Sequence, residues 1–405
     1  MSKSTENSGR YTIFIVVFMG LVGLMDNYLA LIENVAVTEI NAEFGLLPEE
    51  FAFWQAIFGI ITFSVFFIGW FTDAFGRKKG VLVLMLVMGV PALLIGLTAN
   101  TILLFFILYA IVITGTLSNM WEIPVTEESP PERRATYGGI ATLMSLIPIY
   151  AILGPIIADN LGWRWTYGIM FFFMLGLLIL WYFMREPKRW LECKEEREHK
   201  LLKIKEALKR LTRKDVVYIA VCTIVYGIWT ISFKMGSTWG RHYYENVVGI
   251  PSTTYRTYLT IAGFLTMFGA LTSGILMDKI GRNLTLIIGC IGSILGFLIL
   301  AFTASPVAFW MVYFFMPVVF AWIMIYFAEV FRTEIRSTAV GIAATGARVS
   351  YVVGPLIASI LLAAFPTMEW FWIVGGLFML VPIASLLLKP FETKGMILED
   401  IQEKR

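Results

Sequence analysis

Residues 69–80 read GWFTDAFGRKKG, and residues 274–285 read GILMDKIGRNLT. Each stretch ends a long apolar run with a glycine, an aspartate four residues on, a second glycine and an arginine, so Asp73 stands against Asp278 at an offset of 205. Outward from these anchors three more pairs recur in the same order. Glu127, Pro130 and Arg134 answer Glu329, Arg332 and Arg336 at an offset of 202, Gly154-Pro155 answers Gly354-Pro355 at 200, and Trp163 and Trp165 answer Trp370 and Trp372 at 207. Collinear matches at nearly constant spacing indicate tandem duplication. Two parallel repeats related by an axis along the membrane normal are a transporter architecture, with the substrate site expected at midplane between them.

The rest of the chain agrees. Of 405 residues, 58% are apolar and only 15% charged, with a mean hydropathy of +0.76. A soluble domain carries roughly 45–50% apolar and about 25% charged residues, so a water-soluble particle is excluded. Unbroken apolar runs, rather than alternation, exclude a barrel. Twelve spans are expected, at roughly 11–35, 51–70, 80–99, 101–123, 136–158, 164–184, 215–243, 255–277, 283–303, 306–328, 338–362 and 368–388. They give an all-α membrane protein of two pseudo-symmetric six-helix bundles. The N-terminal bundle is residues 1–184, the C-terminal bundle with its tail is 215–405, and 185–214 is a charged cytoplasmic linker patterned as a surface helix.

Of 32 lysines and arginines, 27 fall in the two termini, the linker and the alternate loops that share their side. By the positive-inside rule both termini and the linker are cytoplasmic, as in a multi-pass protein of the cell membrane. The polar start MSKSTENSGR and the length of the first run speak against a cleavable signal peptide. Three scattered cysteines and two histidines, His199 and His242, make no disulfide framework or metal site. With no nucleotide-binding glycine loop and no nucleophile–histidine arrangement, neither an enzyme nor an ATP-driven pump is expected, and no cofactor. The partners expected are a small-molecule substrate, a proton and the lipid bilayer. No nucleic acid is expected, and the chain should act as a monomer.

On these residues the chain resembles the major facilitator superfamily, whose G-x-x-x-D-x-x-G-R-[RK] pattern is filled by Gly69, Asp73, Gly76, Arg77 and Lys78 and echoed by Gly274, Asp278, Gly281 and Arg282. The resemblance implies a cytoplasmic gate of paired charges, assigned to Asp73, Arg77, Glu127 and Arg134 in one half and Asp278, Arg282, Glu329 and Arg336 in the other. Such a latch joins helix ends in one state and parts in the next. Finer matches resemble the sugar porters and their metabolite:proton and organic-ion relatives: REPKRWL at 185–191 is similar to P-E-S-x-R-W-L, AEVFRTEIRSTAVG to E-x-x-P-T-x-x-R-x-x-x-x-G, and ARVSYVVGP to A-R-x-G-x-x-x-x-P. Asp26-Asn27-Tyr28 resembles the start of D-G-x-D, with Leu29 in place of the second aspartate. Two departures matter. Ile111 stands where many of the family's symporters carry an arginine that assists proton coupling, and ISFKMGSTWG replaces the span-seven signature Q-Q-x-x-G-x-N of true sugar porters.

A charge at the bilayer centre costs about 2.5–3.5 kcal/mol on insertion scales, so one that persists marks a function or a partner. Asp26, two-thirds through span one, is the proton-coupling candidate, with Tyr28 beside it. Lys234 in span seven and Arg348 in span eleven favour an anionic substrate, because an arginine fork fits a carboxylate bidentately. Tyr226, Trp229 and Trp322 could line a cavity for a planar solute. Glu33 falls near the outer mouth, and Glu122 near the cytoplasmic latch. Pro148, Pro155, Pro317 and Pro355 could bend their spans. Together these features predict a secondary active transporter that moves an organic anion by alternating access with a proton. The alternatives are a sugar carrier or uncoupled uniporter, a drug:proton antiporter and, from another class, a receptor or scaffold on the same fold.

Overall fold

The computed structural model describes residues 2–116, 118, 120–130, 133–187, 211–331 and 336–388, without the side chains of 2–8, 73, 134, 135, 327–329, 336–338 and 340. The expected linker helix and the C-terminal tail therefore lie mostly outside the described residues. Among those described there is no β-strand. Ten helices are long and apolar enough to cross a membrane: α1 Gly9–Phe44, α2 Pro48–Thr72, α3 Arg77–Thr98, α5 Thr136–Leu161, α6 Trp163–Phe183, α7 Arg213–Val248, α8 Ser252–Ile280, α9 Arg282–Thr303, α10 Pro306–Tyr326 and α11 Gly341–Ala364. Two shorter apolar helices, α4 Ile102–Gly115 and α12 Glu369–Ser385, complete the twelve.

The two halves repeat in detail as well as in order. Gly76 has φ +117° and Gly281 has φ +100°, a region that side-chain-bearing residues avoid, so each motif glycine turns the chain between antiparallel helices. Directly after each glycine the motif arginine reaches back to a carbonyl five residues earlier: Arg77 to Thr72 O at 3.5 Å, and Arg282 to Met277 O at 3.1 Å. Gly80 exists for the same packing, since a Cβ there would fall on the Thr72 side chain.

Several spans differ from uninterrupted rods. α1 is broken at Ile32, one residue before Glu33, and continues as Glu33–Phe44, well beyond the expected end at 35. The fourth span stops at Gly115, Thr116 is extended, and a short helix Glu122–Glu128 follows. The restart suits Pro124, which falls in the first turn, where its missing N–H forfeits no helical hydrogen bond. α5 is interrupted between Ser145 and Ile149, at Pro148. α11 is interrupted at Arg348 and Val349, between Ala347 and Ser350. These two breaks fall at equivalent places in the repeats. Pro155, Pro317 and Pro355 instead lie inside continuous helices. At the C-terminal end of α7, Tyr243–Val248 forms a π-helix, a local winding that often marks functional places.

The chain forms two compact units, Met1–Ile40 with Ile61–Lys200, and Asn41–Ile60 with Leu201–Arg405. In the first, α1 lies on α5 and α6, and its interior at the α4 level is an aromatic cluster in which Phe105 meets Tyr109, Trp163 and Tyr167 at 5.5–6.2 Å. In the second, α8, α9 and α10 pack together, and α7 lies along α11. The N-terminal part of α2, to Ile60, belongs to this unit. It packs on α11, where a Cβ at Gly59 would fall on the carbonyl oxygen of Tyr351, and Phe51 sets its edge on Trp239 at 6.1 Å.

Candidate functional site

Asp26 is only 1% exposed, about five-sixths of the way along the helical segment Ser2–Leu31. Its surroundings are made by small residues. A Cβ at Gly20 would lie 3.0 Å from Met144 Cβ, and one at Gly23 would lie 2.7 Å from Ser145 Cβ and 2.9 Å from two ring carbons of Trp121. These glycines let α1 press on α5 and on the segment ahead of Glu122–Glu128 just before Asp26. Asp26 and Glu122 are close enough to act on one another electrostatically. Glu122, expected from its sequence position with the cytoplasmic latch, is half-buried and lies within electrostatic reach of Asp26. Asn27 donates to the Gly23 carbonyl at 3.1 Å, and Tyr28 donates its hydroxyl to the Thr166 carbonyl of α6 at 2.8 Å.

Two turns along the same helix face lies Glu33, also 1% exposed, which accepts the hydroxyl hydrogen of Tyr109. Tyr167 adds a buried hydroxyl near the same carboxyl group. Glu33, a rim or gate candidate from sequence, is an enclosed carboxyl group.

In the second unit, three helices meet around the other intramembrane charges. α7 and α11 touch at Gly227, where a Cβ would come within 3.8 Å of Ala347 Cα, and at Gly346, where one would lie 2.7 Å from Thr223. Arg348 follows at the break in α11. It is 6% exposed, and its guanidinium carbon lies 5.1 Å from the Tyr351 ring centroid, within cation–π range. Alongside runs a ladder of rings. Trp229 stacks on Phe233 at 5.1 Å and on Phe320 at 4.6 Å, Tyr226 lies 6.3 Å from Trp229, and the Trp229 indole donates to the Met316 carbonyl at 2.8 Å. Further along α10, Trp322 stacks on Tyr326 at 4.6 Å. Lys234 is half-buried two turns beyond Tyr226 on α7. Tyr226 and Trp229 thus lie on the α7–α10 contact, and Arg348 stands at the break of α11, which packs on α7. Phe320, missed from sequence, joins the ladder from another helix; its contact with Trp229 leaves no local periodicity to read.

At the motif ends of the helices, Arg77 forks onto Glu127, with Nε at 3.1 and 3.3 Å from the two carboxylate oxygens and a second nitrogen at 3.1 Å. Arg282, opening α9, pairs with Asp278 near the end of α8 at 3.6 Å, across the Gly281 turn. The side chains of Asp73, Arg134, Glu329 and Arg336 lie outside the described residues. Glu186, also missed, accepts the backbone N–H of Lys78 with both carboxylate oxygens at 3.2 Å, while Lys78 lies over Trp181 at 4.9 Å.

With this geometry established, the family can be assigned. The sequence profile described as Major Facilitator Superfamily matches residues 16–326, more than half of the chain. The chain belongs to the major facilitator superfamily. A second profile, Sugar (and other) transporter, matches residues 261–404 of this facilitator. Among its relatives are a glucose transporter of Staphylococcus epidermidis, 24% identical over 375 residues covering 82% of each chain, and a cis,cis-muconate transport protein of Acinetobacter baylyi, 24% identical over 365 residues covering 84% of this chain and 85% of the other. A crystal structure of a D-xylose-proton symporter superposes with a TM-score of 0.73 at 18% identity, covering 91% of this chain and 97% of that one, which shows the shared twelve-helix fold. The facilitator is a multi-pass membrane protein and a secondary transporter, not an enzyme.

Proposed function

We propose that this facilitator moves a small organic anion, a carboxylate metabolite, together with a proton by alternating access, acting as a monomer in the cell membrane with both termini cytoplasmic. One observation carries this reading: the membrane helices enclose a carboxyl group, Asp26 at 1% exposure, in one unit and a guanidinium, Arg348 at 6%, in the other. Enclosed charges are kept at a cost of several kcal/mol unless something uses them. A titrating Asp26 carries the proton, and the Arg348 fork takes the substrate carboxylate, with the Tyr226–Trp229–Phe320 ladder beside it for an unsaturated or aromatic body.

The relatives do not decide the substrate, because the glucose and muconate carriers are equally similar to this chain. The chemistry favours the acid. A sugar offers Arg348 no charge to neutralise, and the span-seven sugar signature is replaced by ISFKMGSTWG. The second reading, an uncoupled carrier, is favoured by Ile111, which stands where many family symporters hold an arginine.

The test is uptake into proteoliposomes under an imposed pH gradient with a panel of cis,cis-muconate, aromatic monocarboxylates, glucose, xylose and cationic drugs. Carboxylate uptake that rises with the inward proton gradient supports the proposal. Sugar uptake indifferent to that gradient refutes it.

A further inference from the structure

Within the proton-symport reading above, on which this inference rests, we infer that the proton site is a pair: Asp26 and Glu122 hold one proton between them. The geometry begins at Gly23. Its missing side chain lets Trp121 come to 2.9 Å from where a Cβ would stand, and the nearer of those ring carbons, Cε2, is bonded to the indole nitrogen. Trp121 is 2% exposed and its N–H is buried with no hydrogen-bond partner, so an unspent donor lies in the same seam. Asp26 is one helical turn beyond Gly23 on the same face, and Glu122 is the next residue after Trp121. The electrostatic coupling of the two carboxyl groups follows from that placement.

Two like charges side by side in a low-dielectric seam cannot both persist. Empty, the pair carries two negative charges. Loaded, it carries one, with an O–H bond formed on one carboxylate and the second oxygen set accepting it. The proton arrives from water on one side of the membrane and leaves to water on the other, so the cycle transfers one proton and leaves both carboxylates as they began. The Trp121 N–H, unpaired in this structure, is the donor of this seam that a carboxylate left ionised would recruit.

Most other described titratable groups of the elements packed on α1 are held or exposed away from the pair. Tyr109 and Tyr167 gather at Glu33, Tyr28 is bonded to Thr166, Tyr137 of α5 is half-buried, and Tyr150 of α5 is buried with its hydroxyl unpaired. Arg77 holds Glu127, Lys78 and Arg185 lie over Trp181 and Tyr11, Arg164 binds the Ala99 carbonyl at the outer end, and Lys79 and Arg133 are exposed. Arg10 is 16 residues from Asp26 along the helix, about 24 Å at 1.5 Å per residue.

The test needs no substrate. The purified protein in lipid nanodiscs is titrated with pH while the carboxylic-acid C=O band is followed by infrared difference spectroscopy. The wild type should show two coupled steps. Glu122→Gln should remove one step and lower the proton affinity of Asp26 at least tenfold, Asp26→Asn should do the same to Glu122, and Glu122→Asp should restore two steps. Size-exclusion profiles confirm folding, and if Glu122→Gln does not fold, the Asp26→Asn titration of Glu122 decides alone. An Asp26 step that moves less than twofold in Glu122→Gln overturns the pair but leaves Asp26 as the proton site. A titration unchanged by Asp26→Asn overturns the pair and the symport reading together.

Discussion

Removing the Arg77–Glu127 fork tests whether the repeated motif is held by chemistry rather than by charge placement alone. The guanidinium makes three contacts of 3.1–3.3 Å with one carboxylate, and the two side chains are 11% and 16% exposed. Exposed ion pairs contribute about 0.2–1 kcal/mol, whereas stripping one partner from a buried pair costs about 3–5 kcal/mol. At this exposure the fork falls between these limits, so Arg77→Ala should cost about 2 kcal/mol. Glu127→Gln, which keeps the volume and one acceptor, should cost about 1 kcal/mol. A double-mutant cycle in detergent, by equilibrium denaturation of the wild type, both single variants and the double, should give a coupling of about 1–2 kcal/mol between residues in direct contact. A coupling below about 0.3 kcal/mol refutes the assignment, because the two positions would then contribute independently.

Other outcomes follow from the same structure. Arg348→Lys keeps a cation but loses the planar fork, so the KM for carboxylate uptake should rise about tenfold or more with a smaller change in the maximal rate, measured in proteoliposomes. Trp229→Phe keeps the ring stack but frees the Met316 carbonyl, which should lower stability by about 1–2 kcal/mol in thermal denaturation. Gly59→Val would set its side chain on the Tyr351 backbone, and overpacking of this kind costs about 1–3 kcal/mol, enough to open the α2–α11 contact. Labelling of a cysteine at Ala56, 5% exposed on the helix that carries Gly59, should then accelerate. Asp73→Asn should cut transport while leaving membrane insertion intact, checked by uptake against surface expression.

Much of this was written in the chain. The paired motifs around Gly76 and Gly281 gave two halves, and the structure gives each glycine the same left-handed turn and each following arginine the same backward reach. The equivalent breaks near Pro148 and Arg348 extend that symmetry into α5 and α11. The interruption at Gly115 was less legible, since Ile102–Trp121 reads as one apolar run and only Pro124 hints at a restart. Charge in an apolar context found Asp26, Lys234 and Arg348, because hydropathy exposes a lone ionisable group. It could not place Glu122, whose nearness to Asp26 depends on Gly23 admitting Trp121 from another segment. Likewise Phe320 reaches Trp229 only through the packing of α10 on α7. Contacts between helices leave no period in either sequence.

The central claim, that Asp26 couples solute entry to a proton, is tested most directly by luminal pH. Proteoliposomes loaded with a pH-sensitive dye, and given an external carboxylate substrate found by the panel, should acidify as the substrate enters, and Asp26→Asn vesicles should show substrate uptake without acidification or no concentrative uptake at all. Acidification at the wild-type rate in Asp26→Asn would contradict the account.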